Sequence, residues 1–86
     1  MYWAKMTIKH KSNMGRKIGM YYVHGVSKSN KHIFSKNYKT EDKTIRVAID
    51  MQRKKIITQA NIIFTKNMWA DWIVWTLDRK GVINRG

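Results

Sequence analysis

The chain has 86 residues, 18 of them Lys or Arg against 5 Asp or Glu, and a formal net charge of +13. That length predicts a single domain, residues 1–86, with a modest core, and an apolar content of 43% is too high for a disordered tail. Cysteine is absent, which excludes both a disulfide framework and a thiolate metal site.

Residues 2–10 alternate, with Tyr2, Ala4, Met6 and Ile8 on one face and Trp3, Lys5, Thr7 and Lys9 on the other, which is the period of a strand. Lys11 to Arg16 supplies turn residues. A second alternating run sets Ile18, Met20 and Tyr22 against Lys17, Gly19, Tyr21 and Val23, so the first two strands are predicted to form a hairpin. Gly25 to Asn30 reads as a loop, and Lys31 to Lys39 as a third strand carrying Ile33, Phe34 and Tyr38. The apolar pattern of residues 41–54 fits strand and helix alike, but the charges favour a helix. Asp42, Arg46, Asp50 and Lys54 recur every four residues with alternating sign, Glu41 and Asp42 sit in the first turn, and Thr40 can cap it. Lys55 to Thr65 predicts an interior strand, with Ile57 and Ile63 on one face and Ile56, Ile62 and Phe64 on the other. Asn67 can cap a second helix over Met68 to Lys80, which Gly81 would stop. The expected fold is α+β: a small antiparallel β-sheet, made of a three-strand meander plus one further strand, packed against two helices.

The layout of the charge says more than its sum. The first acidic residue is Glu41, so Lys5, Lys9, Lys11, Arg16, Lys17, Lys28, Lys31, Lys36 and Lys39 precede every carboxylate. In a compact fold these cations repel one another, and a polyanion relieves that repulsion while releasing its counterions. Nucleic acid is therefore the expected partner. RNA is placed ahead of DNA because no helix-turn-helix is recognisable, and 13 Lys against 5 Arg favour tracking of the backbone over reading of base edges. The predicted hairpin would present Trp3 and Tyr21 for stacking beside Lys5, Lys9 and Lys17. The alternative from another class is a basic face that docks on an acidic host protein.

In the predicted last helix, Trp69, Trp72 and Trp75 either form the core or engage a partner protein or a second copy of the chain. Its polar stripe, Asp71 and Asp78, is acidic, which argues against a membrane surface. His10, His24 and His32 have the chemistry for acid–base cleavage of RNA, but no paired carboxylates or clamping arginines support them, so no enzyme is expected. No two histidines have helical i,i+4 spacing, and neither a metal nor a cofactor is expected. The first residues lack the order of a signal peptide, and Asp71 interrupts the longest apolar stretch, Met68 to Leu77, well short of the roughly 20 residues a span needs. A soluble, unprocessed, cytoplasmic protein is the expectation.

Small size, a proline-free chain rich in Lys, Asn and Ile, the basic run Lys5 to Lys39 and the segment Met68-Trp69-Ala70-Asp71-Trp72-Ile73-Val74-Trp75 give the character of a phage accessory protein. In size and charge the chain resembles the toxin-inhibitory factor family of T4-like phages. The resemblance carries no residue-by-residue motif and assigns no functional residue. It implies an RNA-binding protein that counteracts the endoribonuclease toxin of a type III toxin–antitoxin defence system in the host cytoplasm.

Overall fold

Thr40 starts the helix that the charges predict. In a computed structural model, which describes residues 2–4 and 16–86, its hydroxyl accepts the Lys43 N–H at 3.2 Å, and α1 runs over Glu41–Arg53. Such a cap is worth about 1 kcal/mol. The strands are β1 (Tyr2–Ala4), β2 (Tyr21–Val26), β3 (His32–Phe34), β4 (Gln59–Asn67), β5 (Ala70–Leu77) and β6 (Ile83–Arg85). All pairings are antiparallel, in the order β1-β5-β4-β2-β3, with β6 beside β1 on the same edge of β5.

The α+β class is as expected, but three details are corrected. Among the described residues there is one helix, because Ala70–Leu77 is a strand and not a second helix. Its Trp, Ile, Val and Thr residues are strong strand formers that fit a half-buried pleat. Asn67 still caps something: its Oδ1 accepts the Trp69 N–H at 2.8 Å and closes the tight Met68–Trp69 turn between β4 and β5. The meander is also incomplete. β2 and β3 form a hairpin, but β1 lies against β5, with Trp3 opposite Trp72, so the predicted hairpin of the first two strands does not form. That place beside β2 is taken by β4, whose apolar residues pair with β2 over six positions. Finally, the interior strand starts at Gln59, and Ile57 precedes it as a buried core residue.

One face of the sheet packs under α1. Tyr21, Val23 and Gly25 of β2, Ala60, Ile62 and Phe64 of β4, and Trp72, Trp75 and Leu77 of β5 share it by register. Thr44 and Ala48 of α1 are buried against this side, where Val23, Ile57, Ile62, Val74 and Leu77 form the core. Each large aliphatic side chain there contributes roughly 1.5–3 kcal/mol. Gly25 is required at its position, since a Cβ would stand 2.6 Å from Ile57 Cγ2. The helix runs toward the end of the sheet at Val26, Gln59 and Leu77, where Gln52 Nε2 donates to the carbonyls of Thr58 and Asp78. Among the described residues no helix is long and apolar enough to cross a membrane.

Candidate nucleic-acid interface

The other face carries Tyr22, His24 and Val26 of β2, His32 and Phe34 of β3, Gln59, Asn61, Ile63 and Thr65 of β4, and Asp71, Ile73 and Thr76 of β5. It divides into two halves. At the Tyr22 end the side chains of Tyr22, Ile63, Thr65 and Asp71 are buried. Arg16 Nη2 donates to Asp71 Oδ1 at 3.1 Å and to the Asn67 carbonyl at 3.0 Å, while the Tyr22 hydroxyl donates to Asp71 Oδ2 at 3.1 Å. Burial, and after it the neighbouring Asp71 carboxylate, hold the Tyr22 phenol well above its ordinary value.

The Val26 half is chemically different. The His24 ring lies on Phe34, with centroids 4.6 Å apart and planes 11° from parallel, and His24 Nε2 is 2.9 Å from His32 Nδ1. Phe34 is 36% exposed and His32 is exposed. Beside this row a cleft of about 300 Å³ has His24, Gln59, Asn61, Thr76 and Asp78 among its lining residues. The turn from β2 to β3 brings Lys28 and Lys31 to the same end, and the turn from β5 to β6 brings Arg79 and Lys80. Flat rings, amide groups able to meet base edges and cations that form no ion pair among the described residues therefore border one surface.

Compared with protein-family models, with curated proteins and with solved structures, the chain matches none.

The structure brings together only some of the residues singled out from the sequence. Lys28 and Lys31 lie on the rim just described. Lys17 is exposed in the turn before β2, Lys36 follows β3 with its ammonium 5.9 Å from the centre of the Tyr38 ring, and Lys39 is exposed ahead of α1. Arg16 is engaged with Asp71. Tyr21 faces the helix side and packs on Phe64, with centroids 4.9 Å apart, and burial followed by the Glu41 charge raises its pKa. It belongs to the core margin. The backbone of Trp3 is in β1, and Lys5, Lys9, Lys11 and His10 lie outside the described residues.

The three tryptophans separate. Trp72 and Trp75 are half-buried against the core, where Trp75 Nε1 donates to Glu41 Oε2 and the Arg85 guanidinium sits 4.9 Å over its ring. Trp69 is 78% exposed beside the exposed Met68 at the β4–β5 turn. Sequence reading missed His24, His32, Phe34, Gln59 and Asn61 as a group. The signal was the alternation of β2 itself, which places Tyr22, His24 and Val26 on one face once Tyr21 and Val23 are assigned to the other.

Proposed function

We propose that this chain is a small RNA-binding protein without catalytic activity, and that single-stranded RNA lies across the Val26 half of the sheet face opposite α1. The observation that carries this reading is the stacked His24–Phe34 pair joined to His32, set beside Gln59 and Asn61 and rimmed by Lys28 and Lys31. Unstacked bases lie on such rings while lysines follow the phosphates. RNA is preferred to duplex DNA because α1 is packed on the sheet through Thr44 and Ala48 and is not presented as a recognition helix.

The biological role proposed for this binding is inhibition of an endoribonuclease toxin of a host defence system in the host cytoplasm. It is supported by the resemblance in size and charge described above. The exposed Met68–Trp69 tip, at the opposite end of the sheet from the RNA, is the surface offered to the toxin protein.

The double variant Lys31→Glu with His32→Ala tests the RNA surface, since both side chains are exposed. Fluorescence anisotropy with a single-stranded RNA should show wild-type affinity falling steeply between about 50 and 200 mM salt. The variant should bind at least about tenfold more weakly with an unchanged circular dichroism spectrum. Affinity that ignores both salt and the variant would refute the reading.

A further inference from the structure

At the Val26 end, around the corner from the sheet face, a second cleft of about 510 Å³ is lined by Lys28, Gln52, Lys55, Ile57, Thr58 and Arg79. Its three cations come from three separate segments: the β2–β3 turn, the chain after α1 and the β5–β6 turn. Among the described residues no carboxylate lines it. Both carboxylates of the neighbouring segments are engaged, since Asp50 pairs with Lys54 at 3.1 Å and Asp78 Oδ1 accepts the N–H groups of Lys80 and Val82. Gln52 builds the cleft wall by tying α1 to the carbonyls of Thr58 and Asp78.

The backbone at Lys55 supplies an independent observation. The Ile56 N–H reaches the Met51 carbonyl and the Lys55 N–H reaches the Gln52 carbonyl, both at 2.9 Å, which is the pattern of a helix end closed by a left-handed residue. Lys55 has φ of +63°, in the position where glycine is usual and a Cβ is strained. The chain thus keeps a lysine where the fold alone favours glycine, and that lysine lines the cleft. Strain retained in this way is common where a side chain serves a ligand.

We propose that this cleft binds a phosphomonoester, namely the 5′-terminal phosphate of the RNA held on the sheet face. Three cations converging on one cleft suit a dianion better than the singly charged diesters of a backbone, which call for a spaced row of cations. The open cleft, at about 510 Å³, has room for a nucleotide around the phosphate. Ile57 and Thr58 wall the side toward the core. The proposal rests on the RNA-binding reading for the source of its phosphate.

The test compares one RNA sequence carrying a 5′-phosphate or a 5′-hydroxyl, bound to the wild type, Lys55→Gly and Arg79→Ala, with inorganic phosphate as a separate thermal-shift ligand. The wild type should prefer the 5′-phosphate by about tenfold, and both variants should lose that preference. Lys55→Gly should at the same time melt about 4 °C higher or more, because glycine relieves the strain. A rise in Tm with the preference intact would make Lys55 a capping residue only and overturn the proposal. Equal wild-type affinity for the two RNAs would overturn it while leaving RNA binding on the sheet standing. Protection of the wild type alone by inorganic phosphate, with neither RNA bound, would make the cleft a free phosphate site and end both the terminal-phosphate proposal and the RNA reading.

Discussion

The two halves of the sheet face opposite α1 use the same residue types for opposite ends. Around Tyr22, the positive charge of Arg16 meets a carboxylate that is 2% exposed, and the pair is completed by a phenol and two backbone carbonyls. Around Val26, Lys28, Lys31 and Arg79 have no carboxylate among their ion pairs, since only Arg16–Asp71 and Lys54–Asp50 form among the described residues. A cation held against a buried anion holds the fold together, whereas cations that form no ion pair leave a field for a ligand to neutralise. Counting charge along the chain treats Arg16 and Lys28 alike. Only their surroundings separate them.

The largest effect expected from this contrast is that of Arg16→Ala. It removes the charged partner of a buried carboxylate and leaves Tyr22 as its side-chain donor, which, with Arg16 itself partly exposed, should cost about 2–3 kcal/mol, read as a lower urea midpoint at constant m. The affinity of the folded protein for RNA should stay at the wild-type value, the reverse of the Lys31→Glu, His32→Ala variant. An Arg16→Ala protein of full stability and weakened RNA binding would erase the distinction between the halves.

Alkaline titration sharpens the same contrast. Tyr22 has its pKa raised in the folded state, by burial first and by Asp71 second, above the 10.0 of an exposed tyrosine. The unfolded chain therefore releases this proton near pH 10 while the folded protein keeps it. The corresponding stability is complete below about pH 10 and is lost as pH rises beyond it, at up to roughly 1.4 kcal/mol per pH unit. Tyr22→Phe should cost about 1–2 kcal/mol at neutral pH, because Asp71 loses a donor. It should also flatten the alkaline limb, so that the melting temperatures of variant and wild type converge above pH 10. Parallel curves would mean that the Tyr22 phenol is neither buried nor held beside Asp71 in the folded protein.

Where sequence reading succeeded and failed along the chain has a physical cause. The helix was legible because its signals are local: Thr40 caps, Glu41 and Asp42 open it, and Arg53 closes it within 13 residues. The β5 strand was not. Asp71, Val74 and Leu77 are its buried positions, a spacing of three that imitates a helix. Its source is a register shift in which Ile62 pairs with Trp75 while the next residue, Ile63, pairs with Ile73. Val74 is the extra residue of a bulge, and it brings Trp72 and Trp75 onto one face although they are an odd number of positions apart. A bulge depends on the partner strand, so no window on β5 alone reveals it. The interface was hidden for a related reason. His24, His32 and Phe34 are neighbours through the β2–β3 register, with His24 opposite Phe34, while the charge pattern drew attention to Lys5 through Lys17, which are distant from this row or outside the described residues.

The smallest effect separates being buried from being paired within the Tyr22 half itself. Thr65 stands opposite Asp71 in the register and is 1% exposed, yet its hydroxyl has no hydrogen-bond partner among the described residues. Arg16, Asp71 and Tyr22 offset the desolvation of their polar atoms with contacts to one another; Thr65 Oγ1 bears that loss with no contact in return. Thr65→Val keeps the branched shape that suits a strand and replaces the stranded hydroxyl with a methyl group. It should therefore stabilise the protein by roughly 0.5–1 kcal/mol, a rise in Tm of about 2–8 °C for a domain of this size. A fall of similar size would show that the hydroxyl donates to Asp71 in solution, making it a fourth member of the buried network and enlarging the part of this face that serves folding.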